Sequence, residues 1–174
     1  MELSGTRVRS GNEIKGFTLI ELMVTISVLG VLLALAVPSF SNATLGGKLG
    51  ATANDLVASA HLARSEAIKR NGAVRLCIAP NNGTACASGS WHQGWIVIAA
   101  DGTLIFRHSA APTGFLITES SSTTSVEFLP SGGVSTPASL KVCRSSPLGS
   151  QERVVRINAA GRAKVRKETT GSCS

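Results

Sequence analysis

Hydrophobic and polar positions divide the chain into stretches with different periods. Residues 1–16 are polar, residues 17–37 are almost wholly apolar, and residues 39–71 repeat apolar positions at spacings of three and four. From Val74 onward the period falls to two. Spacings of three and four indicate a helix and alternation indicates strands, so the pattern predicts a long N-terminal helix followed by a β-rich region.

The apolar segment from Phe17 to Val37 has the length of a membrane-spanning helix. At roughly 1.5 Å per residue it measures about 31 Å, close to the hydrocarbon thickness of a bilayer. Arg7, Arg9 and Lys15 precede it, so the positive-inside bias predicts a cytoplasmic N-terminus and an exported C-terminal domain. The polar residues before it lack the short apolar core and small-residue cleavage site of a secretory signal.

The helical repeat after the apolar segment predicts one buried stripe that lies against a sheet. Glu66 and Arg70, four residues apart, are predicted to pair on the exposed side. Asn71-Gly72 is predicted to end the helix. The stripe consists of small and aliphatic residues: Leu45, Leu49, Ala53, Leu56, Ala60, Ala63 and Ala67.

The alternating part of the chain predicts strands separated by loops rich in Ser, Thr, Gly and Pro. Asp101-Gly102 is a hairpin signal between the second and third of them. The fold class is therefore α+β, a long N-terminal helix with a transmembrane first half, whose second half packs on an antiparallel sheet. Strands are expected at Val74–Ala79, Trp95–Ala99, Thr103–Arg107, Ser125–Leu129, Leu140–Arg144, Arg153–Asn158 and Arg162–Lys167.

The four cysteines all follow the apolar segment, and none forms a C-x-x-C motif. Disulfides in an exported domain fit this distribution best. Three pairings can be drawn. The favoured one joins Cys77 with Cys86, which are close in sequence, and Cys143 with Cys173, which ties down the C-terminus.

No residue pattern indicates catalysis. His61, His92 and His108 are scattered and form no ligand spacing with a cysteine or an acid. The chain contains no G-x-S-x-G elbow and no phosphate-binding glycine loop. We therefore expect no enzyme activity, no cofactor and no metal.

Residues 152–168 hold much of the positive charge of a chain whose formal net charge is +7. If Ala159-Ala160-Gly161 is a three-residue hairpin loop, Val155, Ile157, Ala163 and Val165 share the inner face. Two interpretations stay open: a patch that binds the DNA backbone, or a solvated edge that discourages aggregation. The outer face then carries four cations: Arg156, Arg162, Lys164 and Arg166.

The sequence Gly16-Phe17-Thr18-Leu19-Ile20-Glu21 resembles the prepilin peptidase motif of type IV pilins and type II secretion pseudopilins. The resemblance implies cleavage after Gly16 by a membrane peptidase and N-methylation of Phe17. It also implies that Glu21 pairs with the amino terminus of an adjacent subunit during assembly. A carboxylate inside an apolar segment costs about 2.5 to 3.5 kcal/mol on insertion scales, and such pairing gives it a task.

The later sequence is similar to the H-type pseudopilins and the FimT/FimU minor pilins. The matching residues include Ala63 to Ile68, Gly94-Trp95, Asp101-Gly102 and Asn158-Ala-Ala-Gly161-Arg162. The resemblance implies a lollipop-shaped pilin fold and a subunit near a filament tip, with other pilins or pseudopilins, prepilin peptidase and the bacterial inner membrane as partners. The parts are then a leader at 1–16, an assembly helix at 17–37, its amphipathic continuation at 38–72 and a periplasmic domain at 73–174.

The resemblance leaves two roles open. One is a type IV minor pilin; the other is a pseudopilin of a type II secretion system with a purely structural role. FimT proteins of naturally competent bacteria bind DNA through a Gly-Arg-x-Arg motif. Here the sequence reads Gly161-Arg162-Ala163-Lys164, with Arg166 following, so a lysine keeps the charge but loses the two-pronged donor of arginine.

Overall fold

The computed structural model describes residues 16–80, 83–145, 149, 151–169 and 173. These residues form two compact units, one ending at Ser41 and the other running from Asn42 to Ser174. The helices and strands are α1 Leu19–Arg70, a 3-10 turn Trp91–Gln93, β1 Val74–Ile78, β2 Trp95–Ala99, β3 Leu104–His108, β4 Phe115–Glu119, β5 Ser125–Phe128, β6 Ala138–Arg144, β7 Glu152–Ile157 and β8 Ala163–Glu168.

The described strands form two antiparallel sheets, where the sequence predicted one. Sheet A has the order β3-β2-β1-β5, and sheet B has the order β4-β6-β7-β8. No strand was predicted at β4, Phe115–Glu119. Phe115, Leu116 and Ile117 are all apolar and at least half-buried, so this strand lacks the alternation by which half-buried strands are found.

The first unit contains the helix from Leu19 to Ser41, and its described side chains are exposed. Leu22, Leu29 and Leu33 each expose more than half of their surface. Among the residues that the structure describes, no helix is both long enough and apolar enough to cross a bilayer. The predicted spanning segment, Phe17 to Val37, stays a prediction.

The second unit buries the predicted helical stripe. All seven stripe residues, from Leu45 to Ala67, are buried in one core with the inner faces of both sheets. Trp95 and Phe128 are the largest fully buried side chains of this unit. The indole N–H of Trp95 donates to Ser59 Oγ on the helix at 2.9 Å, so its polar atom is satisfied inside the core.

The helix ends as the sequence predicted. Asn71 takes a left-handed φ of 49°, its N–H donates to Ile68 O, and the Gly72 N–H donates to Ala67 O. This pair of bonds is the Schellman arrangement, which satisfies the last helical carbonyls. The predicted ion pair is present as well, with Arg70 Nε 2.9 Å from Glu66 Oε2.

Three glycines lie within five consecutive residues of the helix, although each lowers the stability of the helix by about 0.5 to 1 kcal/mol relative to alanine. Gly46 has a packing reason, because a Cβ there would lie 2.8 Å from Gln151 Oε1. Gly47 and Gly50 have no such reason, since a Cβ at either would meet no heavy atom within 4 Å. Packing among the described residues therefore accounts for Gly46 alone.

Candidate functional site

The N-terminal motif lies at the start of α1. Gly16, Phe17 and Thr18 precede the helix, and Phe17 exposes 78% of its surface. Thr18 Oγ1 accepts a hydrogen bond from the Glu21 N–H at 3.2 Å. Thr18 is therefore the N-cap and Glu21 the third helical residue, so the two residues have the sequence spacing of a capping box. Residues 1–15 of the predicted leader lie outside the described residues.

The position of Glu21 gives its exposed carboxylate a local role besides the predicted one. Negative side chains in the first turn favour the positive end of the helix dipole, by about 0.3 to 1 kcal/mol. A glutamine at the same place serves a capping box as well as a glutamate does. Replacing the carboxylate by an amide therefore separates a requirement for charge from a requirement for a cap.

The predicted basic hairpin is present between β7 and β8. Gly161 has a φ of 70°, its N–H donates to Asn158 O at 2.8 Å, and Asn158 Oδ1 accepts from the Arg162 N–H at 2.9 Å. The register pairs Arg156 with Lys164 and Val155 with Val165. The loop and the division into two faces thus follow the sequence prediction.

Glycine is required at Gly161 by its surroundings as well as by its φ. A Cβ there would collide with the carbonyl of Gly132, which accepts a hydrogen bond from Arg64 Nε at 2.8 Å. The Val134 N–H also donates to Ala159 O at 3.0 Å. The tip of the hairpin is thereby docked onto the loop after β5 and, through Arg64, onto the helix.

The outer face of the hairpin carries the four predicted cations, all exposed. Arg156 Nη2 lies 3.6 Å from Glu168 Oε1, so one of the four has an acidic partner on the neighbouring strand. Within the described part of the chain, no ion pair involves Arg162, Lys164 or Arg166. Three cations without an ion-pair partner in that part of the chain, two on β8 and one directly before it, thus form the core of the patch.

The same face contains charges that the sequence analysis did not include. Lys141 on β6 lies opposite Val154, and its Nζ is 3.6 Å from Glu152 Oε2. Glu152 is buried and lies opposite Glu168 across the β7–β8 pair. The outer face of sheet B therefore pairs acids with bases at one end and carries cations without an acidic partner among the described residues at the end near the hairpin tip. The alternation of β6 placed Lys141 on this face, but finding it required knowing that β6 pairs with β7.

Both favoured disulfides are present. Cys77 is bonded to Cys86, and Cys143 on β6 is bonded to Cys173 near the C-terminus. The first holds the loop after β1 against the outer face of sheet A, where Cys77 packs with Ile96 and Ile98. The second ties the C-terminal residues to the outer face of sheet B.

The histidine with the most contacts is His108. Its ring stacks on Trp95 with the centroids 3.9 Å apart, and its nitrogens lie 3.2 Å from Asp55 Oδ2 and 2.7 Å from Ser109 O. These contacts give His108 a place in the packing of β3 on the helix. No group of three or more possible metal ligands occurs among the residues that the structure describes.

A prepilin-type motif, one long helix and antiparallel sheets packed on its second part define a pilin-like protein. The family model for type II transport protein GspH matches residues 52–161, and that for the prokaryotic N-terminal methylation motif matches residues 12–37. The chain belongs to the GspH family, a family of pilins and pseudopilins and not of enzymes. A search of curated protein sequences gave no match.

Solved structures share this fold. Two crystal structures of the type IV minor pilin FimU from Pseudomonas aeruginosa match with TM-scores of 0.56 and 0.53, at 21% and 22% identity, over 69% and 68% of this chain and 89% and 92% of theirs. The minor pseudopilin EpsH of the Vibrio cholerae type 2 secretion system matches with a TM-score of 0.51 at 14% identity, over 72% of this chain and 99% of its own.

Proposed function

We propose that this chain is a minor pilin that joins other pilins in a type IV pilus, near the filament tip. The observation that carries the proposal is the methylation motif over residues 12–37 on a chain of the GspH family. The same evidence suits the alternative, a structural pseudopilin of a type II secretion system.

The first part of α1 is the assembly segment in this proposal. Its apolar side chains are exposed in the single chain, which is unfavourable in water and becomes favourable once neighbouring helices or lipid cover them. Glu21 adds a single negative charge to this segment. After cleavage, the new amino group of Phe17 in a neighbouring subunit supplies the matching positive charge. Insertion into the inner membrane before assembly is part of the same proposal.

Processing is tested by mass spectrometry of the mature protein. We expect a chain that begins with N-methylated Phe17, and an uncut chain when Gly16→Val blocks the site or the prepilin peptidase gene is deleted. A mature protein that still carries residues 1–16 in wild-type cells contradicts the proposal.

Deleting the gene and complementing the deletion strain tests whether the chain serves a type IV pilus or a type II secretion system. A pilus subunit predicts loss of surface pili with protein secretion intact, and the pseudopilin alternative predicts the opposite. Complementation with Glu21→Gln, which removes the charge at the assembly segment, reports whether the restored function requires filament insertion.

DNA binding by the basic face is a second candidate function, favoured by the uncompensated charges of Arg162, Lys164 and Arg166. Residues two apart on a strand project to the same side about 6.6 Å from each other. A row of three cations at that spacing suits contacts to successive phosphates and reads no base sequence. The absence of an aromatic side chain within residues 152–168 argues against stacking on single strands, so duplex DNA is the expected ligand.

A gel shift of duplex DNA across salt concentrations tests this function. With about four phosphate contacts we expect affinity to fall by about a hundredfold between roughly 50 and 200 mM salt. Arg162→Ala/Lys164→Ala/Arg166→Ala should abolish the shift. The matched control Lys48→Ala/Lys69→Ala/Arg75→Ala removes the same charge from exposed positions elsewhere and should retain it. Equal losses in the two variants would leave only a general effect of net charge.

A further inference from the structure

We infer that the groove between the second part of α1 and the edge of sheet B accepts an acidic extended strand from a neighbouring filament subunit. The groove has a volume of about 620 Å³, and Gly46 and Gly50 on the helix and Arg153, Val165 and Lys167 on sheet B line it. That the partner is a filament subunit rests on the proposed function. That the bound segment is acidic and extended follows from the residues of the groove.

The sheet offers a place for one more strand here. β8 is the last strand of sheet B and pairs only with β7. Within the described residues, no backbone bond joins β8 to anything beyond that pair. An edge strand of this kind presents a row of free N–H and C=O groups, to which an extended segment adds by main-chain hydrogen bonds.

The charges in the groove select an acidic occupant. Arg153 is only 7% exposed, yet its guanidinium donates to two carbonyls, Glu152 O and Gly46 O, and forms no ion pair with any described acid. Lys167 lies directly opposite Arg153 in the register. Buried charges are seldom left without a counter-charge, and like charges opposite each other destabilise a sheet. A carboxylate entering the groove compensates both cations.

The helix side of the groove has room for the backbone of a bound segment. A Cβ at Gly50 would meet no heavy atom of the described residues within 4 Å, and Gly50 lines the groove together with Val165 and Lys167 of β8. Glycine there has a helix-weakening cost that no internal contact explains. The close approach of a partner backbone does explain it, because only a residue without a Cβ leaves that room.

A pair of peptides provides the test on the full-length chain in detergent. The acidic probe is Glu-Val-Glu-Val-Glu-Val, which matches the six residues of β8, and the control is the same peptide with lysine for glutamate. Affinity is measured by calorimetry, and hydrogen exchange reports whether the amides of Ala163–Glu168 become protected. We expect binding of the acidic peptide alone, together with slower exchange of the outward β8 amides.

Two variants on the same helix turn separate the groove from the rest of the surface. Gly50→Met fills the groove and should weaken the acidic peptide by at least about tenfold. Gly47→Met should leave affinity unchanged. A Cβ at Gly47 also meets no heavy atom of the described residues within 4 Å, but Gly47 does not line the groove. Lys167→Gln should weaken binding by several-fold through lost charge alone.

Three results would overturn the inference. They are no binding of the acidic peptide to the wild-type chain, equal binding by Gly50→Met, or protection of the β8 amides by duplex DNA that Gly50→Met removes. The last result makes nucleic acid the occupant. None of them depends on filament assembly, so the filament role can fail its own processing test while the groove passes this one.

Discussion

The two parts of α1 use the same residue types for opposite purposes. Leu29, in the first unit, exposes 54% of its surface, whereas Leu56, in the second unit, exposes none. The second part supplies one wall of a core formed with two sheets, and its apolar side chains stabilise the fold. The apolar side chains of the first part are not buried against any described residue. In the proposed function they stabilise contacts with neighbouring helices or lipid instead.

This difference separates stability from assembly along one helix. Substitutions after Ser41 should act on the free energy of unfolding of the globular unit. Substitutions before it should leave that unit folded and act on incorporation into a filament. The following predictions test this separation, beginning with the largest expected effect.

Leu56→Ala and Leu29→Ala make the most direct pair. We expect Leu56→Ala to lower the free energy of unfolding by about 2 to 5 kcal/mol, because it leaves a cavity in a closed core. Leu29→Ala should change it by less than about 0.5 kcal/mol. Chemical denaturation followed by tryptophan fluorescence measures both, since Trp91 and Trp95 are buried in the second unit. Equal losses in the two variants would contradict the separation.

The disulfides should affect only the second unit. Replacing Cys143 and Cys173 by serine opens a loop with a separation of 30 residues, and replacing Cys77 and Cys86 opens one of 9. Chain entropy predicts losses of about 3.5 and about 2.5 kcal/mol, respectively. The same denaturation experiment measures the two variants, and the reverse order would indicate that contacts other than loop closure decide the cost.

Gly47→Ala should raise the stability of the second unit by about 0.5 to 1 kcal/mol. The added Cβ meets no heavy atom of the described residues within 4 Å, and alanine removes the entropic penalty of a helical glycine. The matched substitution Gly46→Ala should destabilise, because its Cβ would lie 2.8 Å from Gln151 Oε1. A stabilising Gly46→Ala would show that Gln151 moves away at little cost.

The smallest effect concerns pH. Hydrogen bonds from Arg70 and then Lys69 hold the pKa of Glu66 below its usual range. A lowered pKa means that the contribution to stability is present at neutral pH and is lost as the pH falls through that lowered value. Glu66→Gln should therefore reduce the dependence of stability on pH in the acid range. An unchanged pH profile in the variant would show that the exposed pair contributes nothing measurable.

Local patterns predicted most of the fold. The stripe from Leu45 to Ala67, the end of the helix at Asn71-Gly72 and the turn at Gly161 each depend on neighbours within a few residues. The division into two sheets was not predictable in this way, because it depends on which distant strands pair. For the same reason Lys141 was not predicted, because it joins that face only through the β6–β7 register. Glu152 was within reach of the sequence, because it lies on β7 four residues before Arg156 and so shares its face.

The role of the N-terminal motif cannot be predicted from the packing of one chain. Its residues predict processing and assembly by resemblance to a family. Among the described residues, the environment of Glu21 is that of a helix N-terminus, with the Thr18 cap beside it. The partner proposed for its carboxylate belongs to another subunit, so neither periodicity nor the packing of one chain can test that proposal.

The central claim, that the Glu21 carboxylate is needed for filament assembly, is tested by quantifying Glu21→Gln in sheared filaments by immunoblot. The amide keeps the bond from the Glu21 backbone N–H to Thr18 Oγ1 and removes the charge, and Glu66→Gln in the second unit is the control. We predict a Glu21→Gln protein that is present in cells at the wild-type level but absent from filaments, with Glu66→Gln incorporated normally. Wild-type incorporation of Glu21→Gln would contradict the claim and leave Glu21 only its place in the first turn of the helix, beside the Thr18 cap.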